Sequence, residues 1–353
     1  LESYQKTPKE IISNILHFND INIDRLENVR NIFSNKNDIH PQIQNMDYLD
    51  NFICPQQMDL IVANPPYAKL LSNGKRASKN HNMIGAFIKK SLSLLKPNGY
   101  LVMITPDNWM SFADRNDVIE ILTSLKIHYL NIHTAKKYFP KVGSSFTWYI
   151  IENTPNKESE TFQVEGIWKK RHYKANVYAQ SSRRFIPLLY DEYVQSILKK
   201  TLECEHPKFQ IQTSSDLHKY TKAKWIATEP SPEYKYRLIH TPKQTVWASR
   251  PHKYQSGWKV FLSLTDKYKV FIDQDCGMTQ SIAFIRCDYA KDAEIIKKIL
   301  EHPLYIFLNN ICRWGNFNNV RILQHFPIPL DTEDIYGSFD ITQEERTYIE
   351  TNL

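Results

Sequence analysis

Glycine is scarce in this chain, with nine residues in 353, which leaves little material for glycine-rich loops. Cysteine is scarcer still. Cys54, Cys204, Cys276, Cys287 and Cys312 form no Cys-x2-Cys pair, and no His-x3-His spacing accompanies them. That pattern excludes a zinc centre, so no metal is expected, and reduced thiols in a cytoplasmic protein are. No apolar run approaches the roughly 18 residues of a membrane span. The first residues show neither a basic region nor an apolar core of a leader peptide, so membrane insertion and secretion are both excluded as expectations.

What is present describes a globular protein. Hydrophobic residues make up 42% and aromatics 12%, enough for a buried core despite many charges. A chain of 353 residues is comfortable for two domains. Lysine and arginine number 45 against 38 aspartates and glutamates, a net charge of +7, which favours an anionic partner.

Residues 1 to 154 alternate short apolar runs with amphipathic segments, the pattern of strands joined by helices. Strands are expected at 17–22, 43–47, 58–63, 99–105, 128–133 and 147–152, and helices at 8–15, 25–34, 82–95 and 114–125. The apolar face of Ile84, Phe87, Ile88, Ser91, Leu92 and Leu95 should pack on the sheet, with Pro97-Asn98-Gly99 stopping the helix. The fold class that follows is α/β. The polar stretch Asn153–Glu160 has no apolar period and divides the chain into domains 1–154 and 155–353. Beyond it, basic and aromatic residues interleave at Lys169-Lys170-Arg171-His172-Tyr173-Lys174, at Arg183-Arg184 and from His218 to Trp225. Further strands are expected at 258–264 and 281–285 and one helix at 292–310. No internal repeat is found.

The sharpest signal is Met58-Asp59-Leu60-Ile61-Val62-Ala63 running straight into Asn64-Pro65-Pro66-Tyr67, an apolar strand followed by a rigid loop. Ligands of open α/β sheets bind beyond the carboxyl ends of the strands. An exocyclic amino nitrogen is a poor nucleophile because its lone pair is delocalised into the ring. The Asn64 side-chain oxygen and the Pro65 carbonyl can each accept one amino hydrogen and stabilise the charge that grows on nitrogen. Consecutive prolines hold the loop rigid, and Tyr67 offers a stacking face. A stiff turn is the plainer alternative.

On these residues the sequence resembles the amino-methylating DNA methyltransferases, most closely the adenine-specific TaqI-like group. The resemblance implies a Rossmann-like catalytic domain, S-adenosylmethionine as donor, double-stranded DNA as partner, base flipping for access and a target-recognition domain after the catalytic one. Asp20, in Asn19-Asp20-Ile21-Asn22, matches the acid that binds the cofactor ribose, with Asn22 as an alternative register. Asp47, in Asn45-Met46-Asp47-Tyr48-Leu49, matches the acid that accepts from the cofactor's adenine; Asn64 lines the same pocket. Leu101–Met110 resembles the strand and loop after the catalytic helix. Phe146, after Phe139-Pro140-Lys141-Val142-Gly143, matches an aromatic that stacks on the flipped adenine opposite Tyr67. The plainer alternatives are an exposed strand-end acid for Asp20, a helix or turn cap for Asp47 and a core aromatic for Phe146. Lys69, Lys75, Arg76 and Lys79, in the loop after Tyr67, and Lys169, Lys170 and Arg171 are suited to phosphate contact.

One element of the family's pattern has no counterpart here. The Asp-Pro-x-Cys-Gly-x-Gly-like loop that receives the methionine part of the cofactor is missing, and Asp275-Cys276-Gly277 lacks its second glycine and its flanking elements. Leu1-Glu2-Ser3-Tyr4 resembles the helix that would follow that loop. The expectation is a chain that begins after the first motif, with a missing N-terminal segment or a restriction subunit as partner and weak cofactor binding by the fragment alone. In the carboxyl half, Thr279–Ile282, Tyr305–Asn310, Val320–Leu323 and Phe326–Pro329 resemble the family's specificity domain. A protein glutamine methyltransferase, an RNA adenine methyltransferase and a DNA-binding module without catalysis remain open readings. No nuclease signature stands out.

Overall fold

Thr7 opens the described fold with a capping box: its hydroxyl accepts the Glu10 N–H while the Glu10 carboxylate accepts the Thr7 N–H. The computed structural model describes residues 6–34, 39–50, 52–54, 56–67, 83–113, 116–140, 143, 145–180, 183–265 and 267–353. The chain divides into two compact units, Leu1–Val102 and Met103–Leu353. The elements of the first unit are α1 (Pro8–Asn14), β1 (His17–Asn19), α2 (Ile23–Phe33), β2 (Gln42–Gln44), β3 (Met58–Ala63), α3 (Ile84–Leu94) and the start of β4 (Leu95–Pro106). These match the expected order of strands and helices.

β1 and β2 pair in parallel, His17 beside Gln42 and Asn19 beside Gln44. β3 neighbours β4. The expected apolar face of α3 is buried at Ile84, Phe87, Ile88 and Ser91. Tyr48 stacks on Phe87 at 5.6 Å and reaches the Ser91 hydroxyl at 2.9 Å. The helix ends sooner than Pro97-Asn98-Gly99 would require. Leu95 already has extended dihedrals, and the three residues lie within β4, where Asn98 takes φ +63. Gly99 is needed there because an added Cβ would come within 3.1 Å of the Met58 carbonyl. β3 is not buried throughout, since Leu60 and Val62 are 54% and 71% exposed.

The second unit continues with α4 (Asp117–Ser124), β5 (Leu125–Ile132), β6 (Phe146–Pro155), β7 (Thr161–Trp168), β8 (Arg171–Tyr178) and α5 (Glu192–Lys200). Its first sheet runs β6-β5-β7-β8, with β7 parallel to β5 and the other pairs antiparallel. The polar stretch Asn153–Glu160, expected to separate domains, joins β6 to β7 within this one sheet. Its backbone is bonded back to the fold, Asn156 N to Ser124 O and Ala179 N to Glu160 O, both at 2.9 Å.

The remaining strands are β9 (Gln212–Thr213), β10 (Ile226–Ala227), β11 (Tyr236–Thr241), β12 (Gln244–Ala248), β13 (Trp258–Ser263), β14 (Val270–Gln274), β15 (Gly277–Met278) and β16 (Ile282–Cys287). They form two four-stranded sheets, β10-β12-β11-β15 and β14-β13-β16-β9. The chain closes with α6 (Ala290–Leu300), α7 (Pro303–Ile311), α8 (Val320–Gln324) and α9 (Gln343–Thr351). The single helix expected at 292–310 is therefore two helices. Pro303 holds His302 in an extended conformation, φ −65 and ψ 143, and the chain restarts with proline in the first turn. One large apolar core joins Phe112, α5, β13 and the last four helices.

Candidate active site

Asn64 follows the last residue of β3 directly, at the carboxyl end of the strand. Its side chain is exposed, Pro65 is buried, Pro66 is exposed and Tyr67 is half-buried. The Tyr67 hydroxyl donates to Asn64 Oδ1 at 2.6 Å. An amide oxygen has two lone pairs, so this bond fixes the orientation of Asn64 and leaves one acceptor site for a ligand. Burial pushes the Tyr67 hydroxyl up to about 12, so it remains a protonated donor at neutral pH. The Tyr67 carbonyl accepts the Met83 N–H at 3.4 Å. Lys69, Lys75, Arg76 and Lys79, expected to touch phosphate, lie outside the described residues.

Asp20 and Asp47 come to one edge of the parallel β1–β2 pair. Asp20 lies one residue past β1 and Asp47 three past β2. The two loops are laced together: Asn19 Nδ2 donates to Met46 O at 3.2 Å, and Asn45 Nδ2 donates to Asp20 O at 2.9 Å and Ile21 O at 3.0 Å. Asp20 accepts from the Asn22 N–H at 2.8 Å and pairs with Arg25 at 3.2 Å. Asp47 uses one oxygen to cap the Leu49 N–H at 2.9 Å. The alternative residue, Asn22, is the N-cap of α2, and its side chain accepts the Asp24 N–H. Two strand-end carboxylates on one edge suit a ligand carrying hydroxyl and amino donors.

Phe146 belongs to the second unit and opens β6. It is 2% exposed and packs against Phe139 at 4.7 Å. Phe139 is the more exposed ring of the pair. Nearby in the fold, His133 ends β5 in a left-handed conformation, φ +69. Its Nε2 lies 2.7 Å from Asp107 Oδ2, and the Trp314 ring meets its imidazole edge-on at 5.4 Å. Sequence reading missed this trio because its members are far apart in the chain. The signal that could have found it is Asp107, the first residue after the end of β4.

Lys169, Lys170 and Arg171 form the exposed tip of the β7–β8 hairpin. Arg183, in the second basic cluster, is by contrast a core residue: it stacks over Tyr190 at 5.1 Å and lies 3.2 Å from Glu203. In the third cluster Tyr220 is 73% exposed and Lys224 lies over the Trp225 ring at 4.9 Å. A small cavity lined by Thr123, Asn156, Phe162 and Arg183 has room for about one water and holds none of the candidate catalytic or cofactor-binding residues.

The Eco57I restriction-modification methylase family model matches residues 3–139. That span contains Asp20, Asp47 and Asn64–Tyr67 and ends at Phe139. Three solved structures share the fold at low identity. A nuclease-deletion mutant of the Type ISP restriction-modification enzyme LlaGI, in complex with a DNA substrate mimic, matches with TM-score 0.56 and 10% identity, covering 100% of this chain and 49% of that one. A DrdV–DNA complex gives 0.54 and 10%, over 97% and 50%. The Type IIL restriction-modification enzyme MmeI, in complex with DNA, gives 0.50 and 8%, over 83% and 50%. The chain spans about half the length of these proteins. The fold is mixed α/β with a Rossmann-like sheet. The matched family is one of methylases, and S-adenosylmethionine is the donor consistent with it. Among the described residues no helix is long and apolar enough to cross a membrane.

Proposed function

We propose that this chain acts in DNA adenine methylation within a restriction-modification system, on the exocyclic amino group of an adenine flipped out of the duplex. The observation that carries the reading is Asn64 at the carboxyl end of β3, exposed and oriented by the Tyr67 hydroxyl. The methylase family match over the same residues supports it.

The free lone pair of Asn64 Oδ1 accepts one hydrogen of the target amino group, and the Pro65 carbonyl accepts the other. Both contacts strengthen as positive charge grows on the nitrogen, so they favour the transition state over the ground state. Pro65 and Pro66 fix the backbone beneath these acceptors. Tyr67 both holds Asn64 and offers a ring face to the base. S-adenosylmethionine, when bound, supplies an electrophilic methyl group. Asp20 would hold its ribose hydroxyls and Asp47 its adenine amino group, and the two carboxylates on the β1–β2 edge fit those donors. Recognition of the duplex is assigned to residues 155–353.

The test is transfer of labelled methyl to genomic DNA by the full gene product, with Asn64→Ala as comparison. At least a ~100-fold loss of rate is expected, by analogy with deleted transition-state hydrogen bonds. A mutant as active as the parent would overturn the assignment.

A further inference from the structure

The β7–β8 hairpin turns in two residues. Trp168 pairs with Arg171, leaving Lys169 and Lys170 as the loop, with φ +46 and +68. A two-residue loop with both φ values positive is the type I′ turn, whose favoured dipeptide is Asn-Gly. Lysine rarely adopts this conformation, because its Cβ crowds the backbone there. The turn chemistry therefore does not account for two lysines at this place.

The strain is held by firm packing at the base of the hairpin. Trp168 and Tyr173 pack against the main core of the second unit, and the Tyr173 hydroxyl donates to Leu188 O at 2.9 Å. Gly166 sits opposite Tyr173, and a Cβ there would come within 2.4 Å of the ring. The ring lies across the glycine and ties the two strands together. The tip is thus a braced projection.

Its charge is uncompensated. Lys169, Lys170, Arg171 and His172 are exposed, and among the described residues the first three make no ion pair. Lys174, further down β8, is matched by Glu165 at 3.5 Å. The tip also has a defined position. β7 runs parallel to β5 with Gly166 beside Ile132, so Lys169 reaches roughly 10 Å past the carboxyl end of β5, at about 3.3 Å per residue. The same edge carries His133 and the start of β6 at Phe146.

We infer that the Lys169-Lys170-Arg171 tip is a preorganised clamp for the phosphate backbone of duplex DNA, seating the duplex alongside the carboxyl edge of β5. The hairpin fixes the backbone that carries the two left-handed lysines, so little loop order is lost on binding. This inference rests on the nucleic-acid reading above and assigns to it one positioning element.

The test replaces the two lysines with the dipeptide that the turn prefers. Lys169→Asn with Lys170→Gly removes two charges and relieves the backbone. Binding of a labelled random-sequence duplex is followed by fluorescence anisotropy across a salt series. The variant is expected to bind about 10-fold more weakly near 0.1 M salt, with a salt slope smaller by about 2. Its melting temperature should be equal or higher. Lys169→Arg with Lys170→Arg should retain the parental slope. If the Asn-Gly variant loses stability, Lys169→Gln with Lys170→Gln keeps the backbone problem unchanged and carries the same expected slope. An unchanged affinity and slope in the charge-removing variants would overturn the clamp and leave the methyltransferase reading standing. A parental protein that binds no duplex at any salt would overturn both.

Discussion

Among the described residues, the loop after β3 and a cluster in the second unit both carry residue types associated with catalysis, and they are held in opposite ways. Asn64 and Tyr67 sit on an exposed loop, joined by one hydrogen bond, with acceptor capacity left over. Ser214, Asp216 and His252 in the second unit look like a nucleophile, acid and base by composition. Their hydrogen bonds say otherwise. His252 Nδ1 accepts the Tyr254 N–H at 3.0 Å, so its proton is on Nε2, 2.8 Å from the Ser214 hydroxyl. The imidazole is therefore a donor to Ser214 and cannot remove its proton. Ser214 Oγ also accepts the Asp216 N–H, and Asp216 is bound by Arg250 at 2.8 Å and the Lys253 N–H at 2.9 Å. Ser214 and His252 are both buried. A buried polar network whose members are bonded to one another stabilises a loop, while a group with unused capacity at a strand end is available to a ligand.

The contrast is broken most severely if Asn64→Ala retains activity. The account expects at least a ~100-fold loss of methyl transfer with an unchanged melting temperature, because the exposed side chain supports chemistry and not the core. His252→Gln should do the reverse. It should lower stability by about 2 kcal/mol through a disrupted buried network while leaving the rate per folded molecule intact; a combined loss of rate would place the cluster in the site.

The pH dependence sharpens the same point. Burial pushes the His252 imidazole down to about 4 from its ordinary 6.5. The unfolded chain then binds a proton more tightly than the folded one between those values. Stability should be full above about pH 6.5 and fall toward pH 4, by up to about 2–3 kcal/mol from this group, and His252→Gln should flatten that slope. Urea unfolding between pH 4 and 7.5 measures it. The smallest effect is expected from Tyr67→Phe, which keeps the ring but frees Asn64; a loss of rate under about ten-fold corresponds to one hydrogen bond. A loss as large as that of Asn64→Ala would make the hydroxyl a direct participant.

Much of this was legible in the chain because hydrophobic period and strand-end chemistry are local. The alternation of residues 8 to 133 placed each helix and strand within a few residues, and Asn64 stood out just past a strand; Asp20 and Asp47 came from the resemblance and lay inside the strands expected at 17–22 and 43–47, which end sooner in the structure. What failed depended on neighbours or on backbone detail. Pro303 inside an apolar run was passed over as helix interior. Lys169-Lys170 carries no turn signal, so a hairpin read as a charged stretch. Asp107, His133 and Trp314 meet only through the fold. The exposure of Leu60 and Val62 on β3 ran against an apolar pattern that implied burial.

The most direct measurement is the chemical identity of the product. Genomic DNA exposed to the full gene product and labelled donor, digested to nucleosides and resolved by mass spectrometry, should carry the label on the amino nitrogen of adenine and lose it with Asn64→Ala. Label found instead on cytosine, on RNA or on a protein glutamine, with none on DNA adenine, would contradict the account.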